Sequence, residues 1–157
     1  MDIDWSQIGE SLIRVAAAYL LAVPIGWERE RGTASAGLRT FPVVAMAACG
    51  YSLIVSMMPD ATPEAQARLL QGLLAGIGFI GGGAIVKHGT DVRGIITAAS
   101  IWNTGAIGAS VAYGREEIAI VLSLVNFLTL MILTPLERIC TDMMTGTWSR
   151  DARSPAL

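Results

Sequence analysis

Five long apolar runs separated by short charged connections occupy most of this chain. They cover residues 8–27, 40–58, 69–86, 94–114 and 118–136. The first carries Glu10 and Arg14, and the other four contain no Asp, Glu, Lys or Arg. Each is close to the ~20 residues an α-helix needs to cross the hydrocarbon core of a bilayer. Backbone polar groups in lipid must be satisfied within the segment, so helices are the expected form. The pattern predicts an all-α polytopic membrane protein with five transmembrane helices over residues 1–136. A short cytoplasmic tail over 137–157 follows, too small for a core of its own.

Two motif-level alternatives lose to this pattern. Asp2, Asp4 and Glu10 come before Arg14 at the start of the first run. A cleaved leader wants the opposite charge there, so the run reads as a retained helix. Gly76-Ile-Gly78-Phe-Ile-Gly81 is formally a GxGxxG. A dinucleotide loop needs a preceding strand in a soluble βαβ unit, whereas this motif lies inside an uncharged run.

Lys and Arg set the orientation. Arg29, Arg31, Arg39, Lys87, Arg93, Arg138, Arg150 and Arg153 fall on one side of the five spans, and Arg68 and Arg115 on the other. The positive-inside rule then puts the N-terminus outside and the C-terminus in the cytoplasm.

Composition agrees. Of 157 residues, 53% are hydrophobic and 15% charged, against about 25% charged in soluble domains, and the mean hydropathy is +0.55. A net charge of −2 offers nothing to nucleic acid. Cys49 and Cys140 show no metal or redox spacing and read as small buried thiols. His88 is the sole histidine, and no nucleophile–base pair or paired carboxylates stand out. The expectation is a protein that is not an enzyme and needs no cofactor, with Mg²⁺ possible as a ligand.

Glycines take a second role. In lipid, small residues let helix backbones approach closely. At 100° per residue Gly72, Gly76 and Gly83 lie within about 40° of one another, and Gly78 and Gly82 form another pair. Gly94, Gly105 and Gly108 share a face of the fourth helix. These positions predict a helix-packing seam, with the third and fourth helices central, and Gly76→Leu is expected to lose folded protein. A polar stripe of Thr97, Ser100, Asn103 and Thr104 also runs along the fourth helix and should face the bundle interior or a wet cavity. Arg14 should snorkel or pair with Glu10 at i, i+4. Glu28, Arg29, Glu30, Arg31, Arg39 and Arg93 gather at the cytoplasmic edge, either as a solvated anchor or as an ion-paired functional site.

These residues together resemble the MgtC/SapB family of bacterial inner-membrane proteins. The matching segments are Gly26-Trp-Glu-Arg-Glu-Arg-Gly32, Ala36-Gly-Leu-Arg-Thr40, Arg68-Leu-Leu-Gln-Gly72, Gly76-Ile-Gly-Phe-Ile-Gly-Gly-Gly83, Val92-Arg-Gly94, Thr97-Ala-Ala99, Trp102 and Ile107-Gly108. The chain departs from the family at Ala65, where an acid is common, at Gly82, where Ala is common, and at Asn103. The resemblance implies a five-helix hydrophobic domain in the inner membrane, without the soluble C-terminal domain of many members. It also implies a link to magnesium limitation, acid stress and survival in host cells, and partners such as the ATP synthase.

Two functions follow as expectations. One is a small regulator acting through helix contacts with another membrane protein, itself a homo-oligomer. The other is a magnesium or other cation transporter. Mg²⁺ prefers octahedral oxygen ligands, usually including carboxylate. Runs two to five supply none, which weakens a carboxylate path through the membrane but leaves open a cytoplasmic sensing site and paths lined by hydroxyls and carbonyls.

Overall fold

The computed structural model describes residues 4–31, 36–59, 62–89 and 91–145. Five helices carry the fold: α1 (Trp5–Arg31), α2 (Thr40–Ser56), α3 (Pro63–Gly83), α4 (Ile95–Ala112) and α5 (Glu116–Thr145). Between α3 and α4 sits a small hairpin, β1 (Val86–His88) antiparallel to β2 (Asp91–Arg93), with Val86 opposite Arg93.

Local chemistry sets several boundaries. Asp4 precedes α1, and its carboxylate accepts from the Ser6 and Gln7 backbone N–H groups at 2.9 and 3.4 Å and from the Ser6 hydroxyl at 2.6 Å. These bonds to the ionised form hold its carboxyl below the usual 3.8. Thr62 caps α3 by accepting from Ala65 N–H at 3.2 Å, with Pro63 opening the helix and Glu64 in its first turn.

The third run is not one continuous helix. α3 begins six residues earlier than the apolar run and stops at Gly83, where Gly81-Gly82-Gly83 weakens further helix propagation. The chain then turns through the hairpin. Gly94 follows with φ 91°, and a Cβ there would overlap the Ala84 carbonyl. Glycine is required at this position by backbone conformation and by space, so Gly94 is a turn residue and not part of a packing seam.

Three helices are long and apolar enough to cross a membrane among the described residues: Trp5–Arg31, Ile95–Ala112 and the segment Glu116–Leu133 of α5. Helix α2 is apolar but 17 residues long. Helix α3 has 21 residues, and its first half carries Glu64, Gln66, Arg68 and Gln71. Helix α5 continues past residue 136 to Thr145, so the expected tail begins as helix, and residues 146–157 lie outside the described residues.

α4 is the centre, packed against α1, α2, α3 and α5. The core is built largely from small side chains, Ala18 and Ala22 of α1, Ala45, Ala48 and Cys49 of α2 and Ala112 of α4, around Phe41, Ile25, Ile101 and Ile107. Cys49 is buried with a free thiol, as expected; the side chain of Cys140 lies outside the described residues.

The expected central place of α3 needs correction. It packs on α4 and α2, and only Ile77 and Gly81 are buried in it. A Cβ built at Gly72, Gly76, Gly78 or Gly83 meets nothing within 4 Å. The intramolecular seam lies elsewhere. Gly81 abuts the Ala98 backbone, with its added Cβ 3.1 Å from the carbonyl oxygen. Gly105 receives Ile77, and Gly108 lies against Ala45 and Ala48 of α2. Periodicity placed Gly72 with Gly76 and Gly105 with Gly108, each pair on one helix face, but could not show which face meets a neighbour.

Candidate functional site

Two family-like segments meet at the corner between α1 and α2. The turn at residues 37–40 folds onto the end of α1. A Cβ added at Gly26 would be 3.1 Å from Leu38 Cα, and one at Gly37 would strike the Glu30 carboxylate. Glu30 Oε2 accepts the Leu38 N–H at 3.0 Å, and the Thr40 and Phe41 N–H groups both donate to the Gly37 carbonyl, at 3.0 and 3.3 Å. Glu30 is thus a clasp that orients the entry to α2. It satisfies one backbone donor of the turn, the Leu38 N–H.

Arg29 reaches the other way. Its Nη2 donates to Thr97 Oγ1 at 2.5 Å, tying the end of α1 to the first turn of α4. Thr97 is buried. Arg29 forms no ion pair among the described residues, and its buried Nε has no hydrogen-bond partner. Arg29 stands in the last turn of α1, where a cation suits the helix dipole, and against the first turn of α4, where it opposes it, and an unsatisfied buried N–H costs about 1–3 kcal/mol. This is a polar junction held at some cost in stability.

Other edge residues are placed as follows. Arg31 lies 6.0 Å over the Trp27 ring, and both are exposed. Arg39 and Arg93 are exposed, the latter at the foot of the hairpin opposite Val86. Glu28 is half-buried. No three His, Cys, Asp or Glu side chains among the described residues come together to hold a metal ion.

The polar stripe of α4 faces inward, and its groups are engaged with other helices or with the helix itself. Ser100 Oγ donates to Asn126 Oδ1 of α5 at 3.1 Å. Asn103 Nδ2 donates to the Leu122 carbonyl at 3.3 Å, and Thr104 Oγ1 to the Ser100 carbonyl at 2.7 Å. Ser123 of α5 extends the network by donating to the Leu21 carbonyl of α1 at 2.6 Å. The Asn126 Nδ2 group is buried without a partner. Bonds of this kind hold apolar helices in register at ~0.6 kcal/mol each. Asn126 and Ser123 escaped sequence reasoning; the available signal was two polar residues three apart in the middle of a mostly apolar run.

At the opposite end, Arg14 pairs with Glu10 at 2.6 Å, as its i, i+4 spacing suggested. It also donates to the Ala112 carbonyl at 2.7 Å, capping the C-terminus of α4. That placement suits the negative end of the helix dipole.

The architecture defines a class: an all-helical fold with apolar helices of membrane-spanning length, gathered on one central helix by small residues and a buried polar ladder. Comparison with known proteins makes this specific. The MgtC family model matches residues 15–139, and the chain belongs to the MgtC family. It is similar to protein SrpB of Synechococcus elongatus, at 33% identity over 94% of this chain and 85% of that protein. It is also similar to protein MgtC of Brucella abortus, at 33% identity over 86% of this chain and 56% of that protein. Protein MgtC of Salmonella typhimurium is 35% identical over 73% of this chain and 48% of its own length. The chain thus spans about half the length of the MgtC relatives it matches. No solved structure matches it.

Proposed function

We propose that this chain is a small inner-membrane regulator of the MgtC type, acting through contact with a helix of another membrane protein. The five helices all lie in the bilayer, with the N-terminus outside and the C-terminus in the cytoplasm, and the protein serves cells under magnesium limitation or acid stress. It is neither an enzyme nor a transporter.

The observation that carries this reading is the outer face of α3. Ala75, Gly78 and Gly82 are all exposed, lie within about 60° of one another at 100° per residue, and leave open space where a Cβ would stand at both glycines. Glycine in a helix interior costs about 1 kcal/mol relative to alanine. Within this fold that cost brings no closer packing. In a bilayer a face of small residues lets a second backbone approach. The buried polar stripe of α4, by contrast, is engaged in hydrogen bonds that hold this fold together.

The test has two arms. Purified protein in proteoliposomes with a trapped magnesium indicator is expected to show no saturable flux. In cells, Gly78→Leu and Gly82→Leu should keep normal abundance and lose the growth phenotype of the wild-type gene in low magnesium. Saturable flux would overturn the reading in favour of a transporter. Full function in both leucine variants would remove the α3 face from the mechanism.

A further inference from the structure

Beside that face, on the α2 side of α3, runs an apolar groove of about 570 Å³. Its floor includes Gly72 and Gly76, where nothing fills the space beyond the backbone. Val43 and Ile80 stand at one end, and Tyr51 and Arg68 at the other. All four of these side chains are exposed, and Arg68 forms no ion pair among the described residues.

The dimensions select an occupant. From Arg68 to Ile80 the groove follows twelve residues of α3, or ~18 Å at 1.5 Å per residue. One leaflet of a ~30 Å hydrocarbon core is ~15 Å deep. An acyl chain extended through one leaflet matches that length, and the apolar side chains along the groove match its chemistry. The polarity is also one-ended: a cation and a phenol at one mouth, apolar side chains along the rest. A guanidinium matches a phosphate by charge and by its fork of donors.

The geometry points to a phospholipid site. One acyl chain of an anionic phospholipid lies along Gly72 and Gly76, with its phosphate at Arg68 and Tyr51. This inference rests on the reading that α2 and α3 lie in the bilayer, which resistance of the wild-type protein to alkaline extraction from membranes checks separately.

The experiment reconstitutes the full chain into vesicles of equal parts phosphatidylglycerol and phosphatidylcholine, re-extracts it in mild detergent and identifies retained lipid by native mass spectrometry. One phosphatidylglycerol per chain is expected, enriched about tenfold over phosphatidylcholine, the ratio that corresponds to ~1.4 kcal/mol. Arg68→Gln should bring the two lipids to about equal retention. Gly76→Leu should retain neither lipid while staying monodisperse, because its side chain enters the groove and not the core. Retention without headgroup preference in the wild type would overturn the proposal, as would full retention in Gly76→Leu. Displacement by millimolar inorganic phosphate would overturn it in favour of a phosphate site. So would a Gly72→Cys disulfide between two copies forming in full yield with no lipid retained, in favour of a second copy.

Discussion

Two glycine-to-alanine changes should move stability in opposite directions. At Gly108 an added methyl would overlap the Ala45 carbonyl oxygen and come within 2.9 Å of Ala48 Cβ. The principal obstacle is backbone, so relief requires α2 and α4 to separate. Overpacking of this kind costs typically 1–3 kcal/mol, and a backbone obstacle puts Gly108 at the upper end. Alanine returns up to ~1 kcal/mol of helix propensity. The balance is a loss of about 2 kcal/mol. At Gly78 no atom lies within 4 Å, so the propensity gain of up to ~1 kcal/mol stands alone. For a chain of this size 1 kcal/mol moves Tm by about 2–4 °C. Thermal unfolding of the purified protein in detergent, followed by tryptophan fluorescence, should show Gly108→Ala about 4–8 °C below wild type and Gly78→Ala up to about 4 °C above it. If Gly78→Ala falls as far as Gly108→Ala, then α3 packs on this face within the fold, and the argument for an outside partner there fails. Gly76→Leu, expected from sequence to destroy the fold, should on this structure leave it intact.

Three further outcomes are expected. Glu30→Ala removes the acceptor of the Leu38 N–H and should lower stability by about 1–2 kcal/mol, visible as faster proteolysis at the α1–α2 turn; an unchanged digestion rate would show that the clasp is idle. A double-mutant cycle of Ser100→Ala and Asn126→Leu should give a coupling of about 0.6 kcal/mol, and additive effects would mean that the bond at 3.1 Å contributes nothing. Asp4 titrates below its usual 3.8, so its cap is complete at neutral pH and is lost as pH falls through its folded value. Protection of the Ser6 and Gln7 amides relative to their intrinsic exchange should therefore fall in acid in the wild type, and should be low already at neutral pH in Asp4→Ala.

The number of helices and their order were legible because each run is long, uncharged and bounded by polar residues, and one-dimensional hydropathy carries that information. The Arg14–Glu10 pair and the inward polar stripe of α4 were legible too, because helical spacing decides which side chains share a face. The hairpin was not. Val86 belongs to an apolar run that reads as helix, yet it pairs with Arg93 as strand, beside the close approach of Gly94 to the Ala84 carbonyl.

The clasp and the junction at the α1–α2 corner lie on a different level. Sequence brought Glu28, Arg29, Glu30, Arg31 and Arg39 together as a charged edge, but their roles diverge in space. Glu30 turns to the backbone at Leu38 and Arg29 to Thr97, while Arg31 and Arg39 stay outside. Adjacent residues on a helix point about 100° apart, and only the position of α4 decides which of them finds a partner. The glycines follow the same logic. Spacing determined that Gly72 and Gly76 share a face, as do Gly105 and Gly108. Only the packing of α4 on α2 and α3 left the first pair open and filled the space at the second, because a missing Cβ has consequences only where another atom comes close.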